Sequence, residues 1–267
     1  MSASRWAVST AAILWLFMSK PASAEPLRTA LGCTTTQETT RFTATLPNTA
    51  GAIRSGKELV IIAIGSSSTK GVGASDPAHT YPARLAEELR HHWPELPLSV
   101  INKGIGGEIA SQMLARFERD VLPYHPQLVI WQTGSNQVLK SGNIKEFVAT
   151  IREGISRLKA AHADVVLMDP QFAPRLLAQP LHLFIVDSIG AIANEMKVAV
   201  FRRFAVMRDW IWSGQYKMED IISSDGLHMN DASYSCIAHL LADSLVAATE
   251  SPSFARQQSE ERADARR

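Results

Sequence analysis

The chain alternates between short, continuously apolar runs and longer segments in which apolar side chains recur every three or four residues. Short apolar runs are typical of strands buried on both faces, and the longer period is typical of amphipathic helices. The apolar runs are Leu59–Ile64, Leu98–Ile101, Leu128–Gln132, Val165–Met168 and Val198–Phe201. The segments of helical period are Tyr81–His92, Ile109–Leu122, Ile144–Ala161, Leu181–Met196 and Asp231–Ala248. Strands that alternate with helices predict an α/β fold, in which helices cover both faces of a mostly parallel sheet.

The regular pattern occupies only the middle of the chain. Residues 57–250 contain all of it, and we expect them to form the folded domain. Residues 25–56 are rich in Thr, Ser and small side chains, and they predict an irregular extension with at most one edge strand. Residues 251–267 are mostly acids, arginines and glutamines, which is typical of a disordered tail.

Residues 1–24 have the pattern of a secretory signal peptide. Arg5 precedes an apolar run from Trp6 to Met18, and Ala22 and Ala24 supply the small residues of a cleavage site. The run is shorter than the roughly 20 residues that a membrane-spanning helix needs. The alternative is an uncleaved N-terminal anchor. We expect an exported protein, periplasmic or secreted, with no stable membrane insertion after cleavage.

Composition and charge limit the classes of partner that the protein could bind. Of 267 residues, 46% are hydrophobic and 20% charged, which is ordinary for a globular protein. The 27 basic and 26 acidic side chains give a net charge of +1, so no basic surplus indicates a nucleic acid partner.

The two cysteines both lie outside the predicted signal peptide. In an oxidising compartment, Cys33 and Cys236 favour a disulfide that ties the N-terminal extension to the C-terminal part of the domain. The alternative is two separate buried thiols.

Candidate catalytic residues are expected just after the predicted strands, because active sites of parallel α/β sheets lie beyond the carboxyl ends of the strands. Small and polar residues follow the first three strands and precede the last helix, in the segments Gly65–Gly71, Asn102–Gly107, Thr133–Gln137 and Ser224–His228. Each segment alone also fits an ordinary turn.

Taken in order, these segments read Gly-Ser turn, N-x-G-x-x-G, G-x-N and D-x-x-H, and the set resembles the SGNH (GDSL-type) hydrolase family over residues 59–246. The resemblance implies a flavodoxin-like three-layer α/β/α sandwich with a five-stranded parallel sheet. It also implies that Ser67 is the nucleophile, His228 the base and Asp225 its acidic partner. No metal or cofactor is required by this mechanism.

The same resemblance assigns the oxyanion hole to the backbone N–H groups of Ser67 and Gly107 and to the Asn136 amide. This chain departs from the family pattern at two positions. Ser66 replaces the Asp of the GDS triplet, and Gln137 replaces the Asp that usually follows the third-block asparagine. Because neither replaced group is nucleophile, base or oxyanion donor, the changes affect loop geometry and substrate preference.

Three polar residues in the strand-end loops are candidates to line a bound substrate: Glu108, Gln137 and Gln171.

The implied reaction is hydrolysis of a carboxylic ester through an acyl-enzyme. The partner would be a small-molecule or carbohydrate ester, and we favour removal of a small acyl group, such as acetyl, from a carbohydrate. Two alternatives remain. The first is a carbohydrate O-acyltransferase with the same triad, and the second is a non-catalytic carbohydrate-binding relative.

Overall fold

The computed structural model of the chain describes residues 32–140 and 142–250. The predicted signal peptide (1–24) and the predicted tail (251–267) lie outside the described residues.

The sheet has five parallel strands in the order β2-β1-β3-β4-β5. They are β1 Leu59–Gly65, β2 Leu98–Gly104, β3 Leu128–Gln132, β4 Asp164–Met168 and β5 Ala199–Phe201. All five predicted strands are therefore confirmed. Because the order reverses at β1 and β3, the carboxyl ends of these two strands open onto the crevice where such sheets bind ligands.

Helices surround the sheet. They are α1 Gln37–Thr40, α2 Pro47–Ser55, α3 Ser67–Lys70, α4 Tyr81–His92, α5 Ala110–Leu114, α6 Phe117–Asp120, α7 Ser135–Leu139, α8 Ile144–Ala160, α9 Pro174–Leu177, α10 His182–Met196, α11 Arg203–Trp212, α12 Met218–Ile221 and α13 Asp231–Glu250, with 3₁₀ turns at Pro77–His79 and Leu122–Tyr124. Within the described ranges, none of these helices is long and apolar enough to cross a bilayer.

Alternate side chains of each central strand enter two separate cores. In β1, Ile61 and Ala63 pack toward α2, α4, α11 and α13, whereas Ile62 and Ile64 pack toward α5, α6, α8 and α10. This alternation follows from the two-residue period of a strand. Burial on both faces explains why the strands read as continuous apolar runs, and the predicted three-layer α/β/α sandwich is confirmed.

The structure divides one predicted helix. The segment Ile109–Leu122 forms α5 and α6, which are separated at Arg116 by non-helical dihedral angles (φ −111°, ψ 11°). The guanidinium of Arg116 is buried and bonded to the backbone carbonyls of Gly65 and Lys103, at the ends of β1 and β2. The prediction of one continuous helix was wrong because these bonds outweigh the helical period.

The N-terminal extension also differs from its prediction. Within residues 32–56 the structure has two helices and no strand. The second of them, α2, is attached to the start of β4 because Asp164 accepts hydrogen bonds from the backbone N–H and hydroxyl of Thr49, both at 2.8 Å. Asn48 Nδ2 donates to the same carboxylate at 2.9 Å. The bonding partner of this helix lies 115 residues away, which a local pattern does not show.

The predicted Cys33–Cys236 disulfide is present, with the two Cα atoms 5.1 Å apart. It joins the N-terminal segment to α13. A second contact holds the same segment, because Trp210 Nε1 donates to the Thr34 carbonyl at 2.9 Å.

Candidate active site

A serine-rich turn follows β1 at the carboxyl edge of the sheet. The strand ends at Gly65, and Ser67 is the first residue of α3. A Cβ atom at Gly65 would lie 2.1 Å from Thr69 Oγ1, a distance that no side chain permits. Glycine therefore allows the strand to pass directly into a helical turn that presents Ser67.

The three neighbouring serines have different environments. Ser66 is buried, and its backbone N–H and hydroxyl donate to Gln132 Oε1 at 2.9 and 3.0 Å. Ser68 is also buried, and its hydroxyl accepts a hydrogen bond from a buried guanidinium at 2.6 Å. Ser67 is only partly buried, and its Oγ lies 2.8 Å from His228 Nε2. The structure therefore distinguishes Ser67 from its neighbours, as the motif alone could not.

The Asp225 carboxylate holds the other side of the His228 ring. Oδ2 lies 2.5 Å from His228 Nδ1, while Oδ1 accepts hydrogen bonds from Ser223 Oγ and from the backbone N–H groups of Leu227 and His228. Burial raises the pKa of Asp225, but these bonds, first the one from the His228 ring, outweigh burial and hold the pKa below its usual range. The ionised carboxylate can only accept, so Nδ1 of the neutral imidazole carries the proton and Nε2 presents its lone pair to Ser67.

A glycine in the loop after α3 allows that loop to lie close to the segment that contains His228. Gly73 has φ +94°, and a Cβ atom there would lie 2.2 Å from the Met229 carbonyl oxygen and 3.1 Å from His228 Cβ. The loop after α3 is thereby packed directly against the segment that carries the imidazole.

The first half of the N-x-G-x-x-G segment supports the turn that carries Ser67. Asn102 Nδ2 donates to the Thr69 carbonyl at 2.8 Å, and its Oδ1 accepts from the Gly104 N–H at 2.9 Å. A Cβ atom at Gly104 would lie 2.1 Å from the backbone nitrogen of Lys70. The end of β2 is therefore in backbone contact with α3.

The second half of the segment passes beside Ser67. A Cβ atom at Gly106 would lie 3.9 Å from Ser67 Cβ, and Gly107 adopts φ +81° in open space. From α7, Asn136 Nδ2 donates to the Glu108 carbonyl at 2.9 Å, which joins the third block to the second. The two predicted oxyanion donors outside α3 thus lie on segments that are bonded to each other.

Two of the predicted substrate-lining residues face the interior instead. Gln137 is 5% exposed and Gln171 is 1% exposed. Gln137 Nε2 donates to the Asn143 carbonyl at 3.3 Å, and the amide of Gln171 is bonded on both its oxygen and its nitrogen to protein groups. Both amides are bonded to protein groups, as buried amides must be. They therefore do not line the surface that a substrate would reach, and the prediction was wrong for these two. Glu108 stays a prediction, with its carboxylate paired to Arg116 at 2.8 Å.

Arg116 is a supporting residue that the sequence pattern did not identify. It is 6% exposed, and its Nη2 donates to the Lys103 carbonyl at 2.8 Å and, at 3.4 Å, to that of Gly65. It therefore ties the second block to the end of β1. An arginine within a helical-period segment is usually solvent-exposed, so the sequence carries no signal for this role.

The described residues include no group of three or more His, Cys, Asp or Glu side chains that could hold a metal ion.

The fold and the family match together define the class of protein. The three-layer fold with its five-stranded parallel sheet is shared with SGNH-type ester hydrolases, and the resemblance seen in the motifs is confirmed. The chain belongs to the non-GDSL lipase-like family, whose model matches residues 32–251.

Individual relatives carry esterase names. The chain is 29% identical over 160 residues to an acetylxylan esterase of Geobacillus stearothermophilus, covering 54% of this chain and 73% of that protein. It is 26% identical over 167 residues to an arylesterase of Vibrio mimicus, covering 62% of this chain and 78% of that protein. Among solved structures, a two-domain esterase active on acetylated mannans superposes with a TM-score of 0.70 at 21% identity, over 81% of this chain. The chain spans 58% of the length of that esterase.

Proposed function

We propose that this chain is an exported serine esterase that removes acetyl groups from carbohydrates. Two hydrogen bonds carry the proposal. Ser67 Oγ lies 2.8 Å from His228 Nε2, and His228 Nδ1 lies 2.5 Å from Asp225 Oδ2. A nucleophile within hydrogen-bond reach of a base, itself oriented by a third group, is the geometry of covalent acyl transfer.

The first half-reaction forms an acyl-enzyme. Ser67 Oγ attacks the ester carbonyl carbon while His228 Nε2 takes the hydroxyl proton, and Asp225 stabilises the imidazolium that results. When the tetrahedral intermediate collapses, His228 returns this proton to the leaving alcohol. In the second half-reaction, water replaces the alcohol, and the carboxylic acid is released from Ser67.

Negative charge on the intermediate needs donors that are already in place. We assign them to the N–H groups of Ser67 and Gly107 and to the amide of Asn136, which Glu108 holds through its carbonyl. Each such donor typically lowers the barrier by about 2.7–4 kcal/mol.

The relatives and the charge support the substrate class. One relative is named for acetylated xylan, and the superposed esterase is active on acetylated mannans. Without residues 1–24, which hold two basic and no acidic side chains, the net charge is −1, so the net charge does not favour a polyanionic substrate and agrees with a neutral acetylated sugar.

Export is supported by the signal-like residues 1–24 and by the Cys33–Cys236 disulfide, since disulfides persist in oxidising compartments. Expression of the full chain, followed by N-terminal sequencing of the extracytoplasmic protein, tests this part. We expect a mature chain that begins at Glu25. Accumulation of an unprocessed chain inside the cell would contradict export.

The activity is tested by acetate release from acetylated xylo- and manno-oligosaccharides, compared with 4-nitrophenyl acetate and 4-nitrophenyl octanoate. We expect acetyl esters to be preferred and Ser67→Ala to lower kcat by about 10⁴–10⁶-fold. Ser156→Ala, on the exposed face of α8, is the matched control and should keep full activity. Retained activity in Ser67→Ala would overturn the mechanism. Preference for the octanoyl ester would overturn the acyl group, and transfer to an added sugar in excess of hydrolysis would identify an acyltransferase.

A further inference from the structure

Arg203 is a fully buried arginine at the start of α11, and the sequence pattern gives it no role. All three nitrogens of its guanidinium donate hydrogen bonds. Nε donates to the Asp169 carbonyl at 3.1 Å, Nη1 to Ser68 Oγ at 2.6 Å and Nη2 to Gln171 Oε1 at 3.0 Å. The side chain therefore connects α3 with the loop that follows β4.

Gln171, on that loop, extends the network in two directions. Its Oε1 also accepts a hydrogen bond from Ser135 Oγ at 3.0 Å, and its Nε2 donates to the Leu227 carbonyl at 3.0 Å. At 1% exposure, its amide is bonded on both sides within the protein.

The network bonds a residue in each of three segments, and each of these residues is the sequence neighbour of a residue of the candidate site. The pairs are Ser68 with Ser67, Ser135 with Asn136, and Leu227 with His228. These segments follow β1, follow β3 and precede α13, so they are far apart in the chain. The Arg203–Gln171 pair bonds all three at one buried point.

Stability alone does not account for a guanidinium in this position. Burial lowers the pKa of Arg203 and raises that of the neighbouring Asp169, while the attraction between the two charges opposes both shifts. Asp169 is itself fixed, because its carboxylate accepts the Phe204 N–H at 2.8 Å. Well-packed apolar side chains often replace such buried charges without loss of stability, so stability alone does not require a guanidinium here.

We propose that Arg203 and Gln171 are positioning residues, which set the relative placement of the nucleophile, the oxyanion amide and the imidazole by holding the residue next to each. The proposal rests on the proposed function. Displacement of a reacting group by about 1 Å can cost on the order of 100-fold in rate, whereas the ground-state contacts with substrate change little.

Two variants test the proposal. Ser135→Ala cuts only the link to the helix that carries Asn136, and Gln171→Met removes the links to Ser135, Leu227 and Arg203. Ser244→Ala is the matched control, because Ser244 is also buried with a bonded hydroxyl (2.7 Å to the Leu240 carbonyl) but lies within α13. The readout is kcat for 4-nitrophenyl acetate per active site, counted by titration with a fluorophosphonate at a temperature well below unfolding.

We expect kcat to fall by about 10–100-fold in Gln171→Met and less in Ser135→Ala, with KM within about threefold of wild type in both. The double variant should lose little more than Gln171→Met alone, because residues of one network are not additive. A kcat equal to that of Ser244→Ala in every single variant that folds would overturn the positioning role. Ser135→Ala adds no atoms, so it decides the matter even if Gln171→Met fails to fold. Activity in Ser67→Ala would instead overturn the proposed function, which separates the two failures.

Discussion

The two ends of the sheet each bury a charged side chain, but the two charges are bonded differently. At the amino end, the Asp164 carboxylate accepts all of its hydrogen bonds from neighbouring residues of one helix, α2. At the carboxyl end, Arg203 and its partner Gln171 bond the loop after β4 and three further segments. Both clusters obey the rule that buried polar groups are bonded.

The difference lies in what each cluster keeps in place. Loss of the Asp164 bonds frees one helix, far from the candidate site, and changes the free energy of unfolding. Loss of the Arg203–Gln171 bonds shifts three site segments relative to one another, so it changes the rate. Similar buried chemistry therefore serves stability at one end of the sheet and geometry at the other.

The largest expected contrast comes from the same substitution at two aspartates. Asp225→Asn should lower kcat by about 10⁴-fold, because an amide facing His228 Nδ1 favours the wrong tautomer and leaves Nε2 unable to accept the Ser67 proton. Asp164→Asn should leave kcat unchanged and lower the free energy of unfolding by about 1–3 kcal/mol, because its new NH₂ group opposes a donor. Steady-state kinetics and urea unfolding measure the two effects. Equal losses of kcat in both variants would remove the distinction between the two ends.

A second contrast compares two asparagines. Asn136→Ala should lower kcat by about 10²–10³-fold, as expected for loss of one oxyanion donor. Asn48→Ala removes a hydrogen bond to Asp164 and should change only stability, by about 1 kcal/mol. Hydrolysis of 4-nitrophenyl acetate by both variants gives the comparison. If Asn136→Ala kept wild-type kcat, its amide would have no part in the reaction.

The smallest expected effect is on the pH dependence of stability. It comes from a pair of side chains that lies away from both Asp164 and Arg203. The hydrogen bond from His239 on α13 to Glu88 on α4, at 3.1 Å, raises the pKa of His239 above its usual 6.5 and lowers that of Glu88. The stabilisation is therefore fully present below pH 6.5, down to the range where Glu88 becomes protonated, and is lost as the pH rises through the raised pKa of His239. Because the His239 ring is 42% exposed, solvent screening keeps the contribution below about 1 kcal/mol.

Thermal unfolding of wild type and His239→Gln at about pH 6 and pH 9 measures this contribution. We expect the difference in Tm to shrink as the pH rises, with kcat unaffected at either pH. A difference that grows with pH would reverse the sign of the linkage.

Much of the fold could be predicted because its signals are local. The apolar runs mark strands covered on both sides, and Asp225 and His228 stand three residues apart in one loop. The positions of Arg116 and Arg203 could not be predicted in this way, because their burial depends on distant partners. Ser68, for example, lies 135 residues from Arg203. The substrate-lining assignment of Gln171 was wrong for the same reason, since its amide partners, Ser135, Arg203 and Leu227, come from three other segments.

The most direct test of the central claim is to locate the reactive serine by mass spectrometry. The purified protein is treated with a fluorophosphonate and digested with trypsin, and the peptide of residues 58–70, which contains all three neighbouring serines, is fragmented. We expect one adduct per chain, on Ser67, and a greatly slowed reaction in Asp225→Asn. An adduct on Ser66, Ser68 or any other residue, or no adduct on a folded protein that hydrolyses acetyl esters, would contradict it.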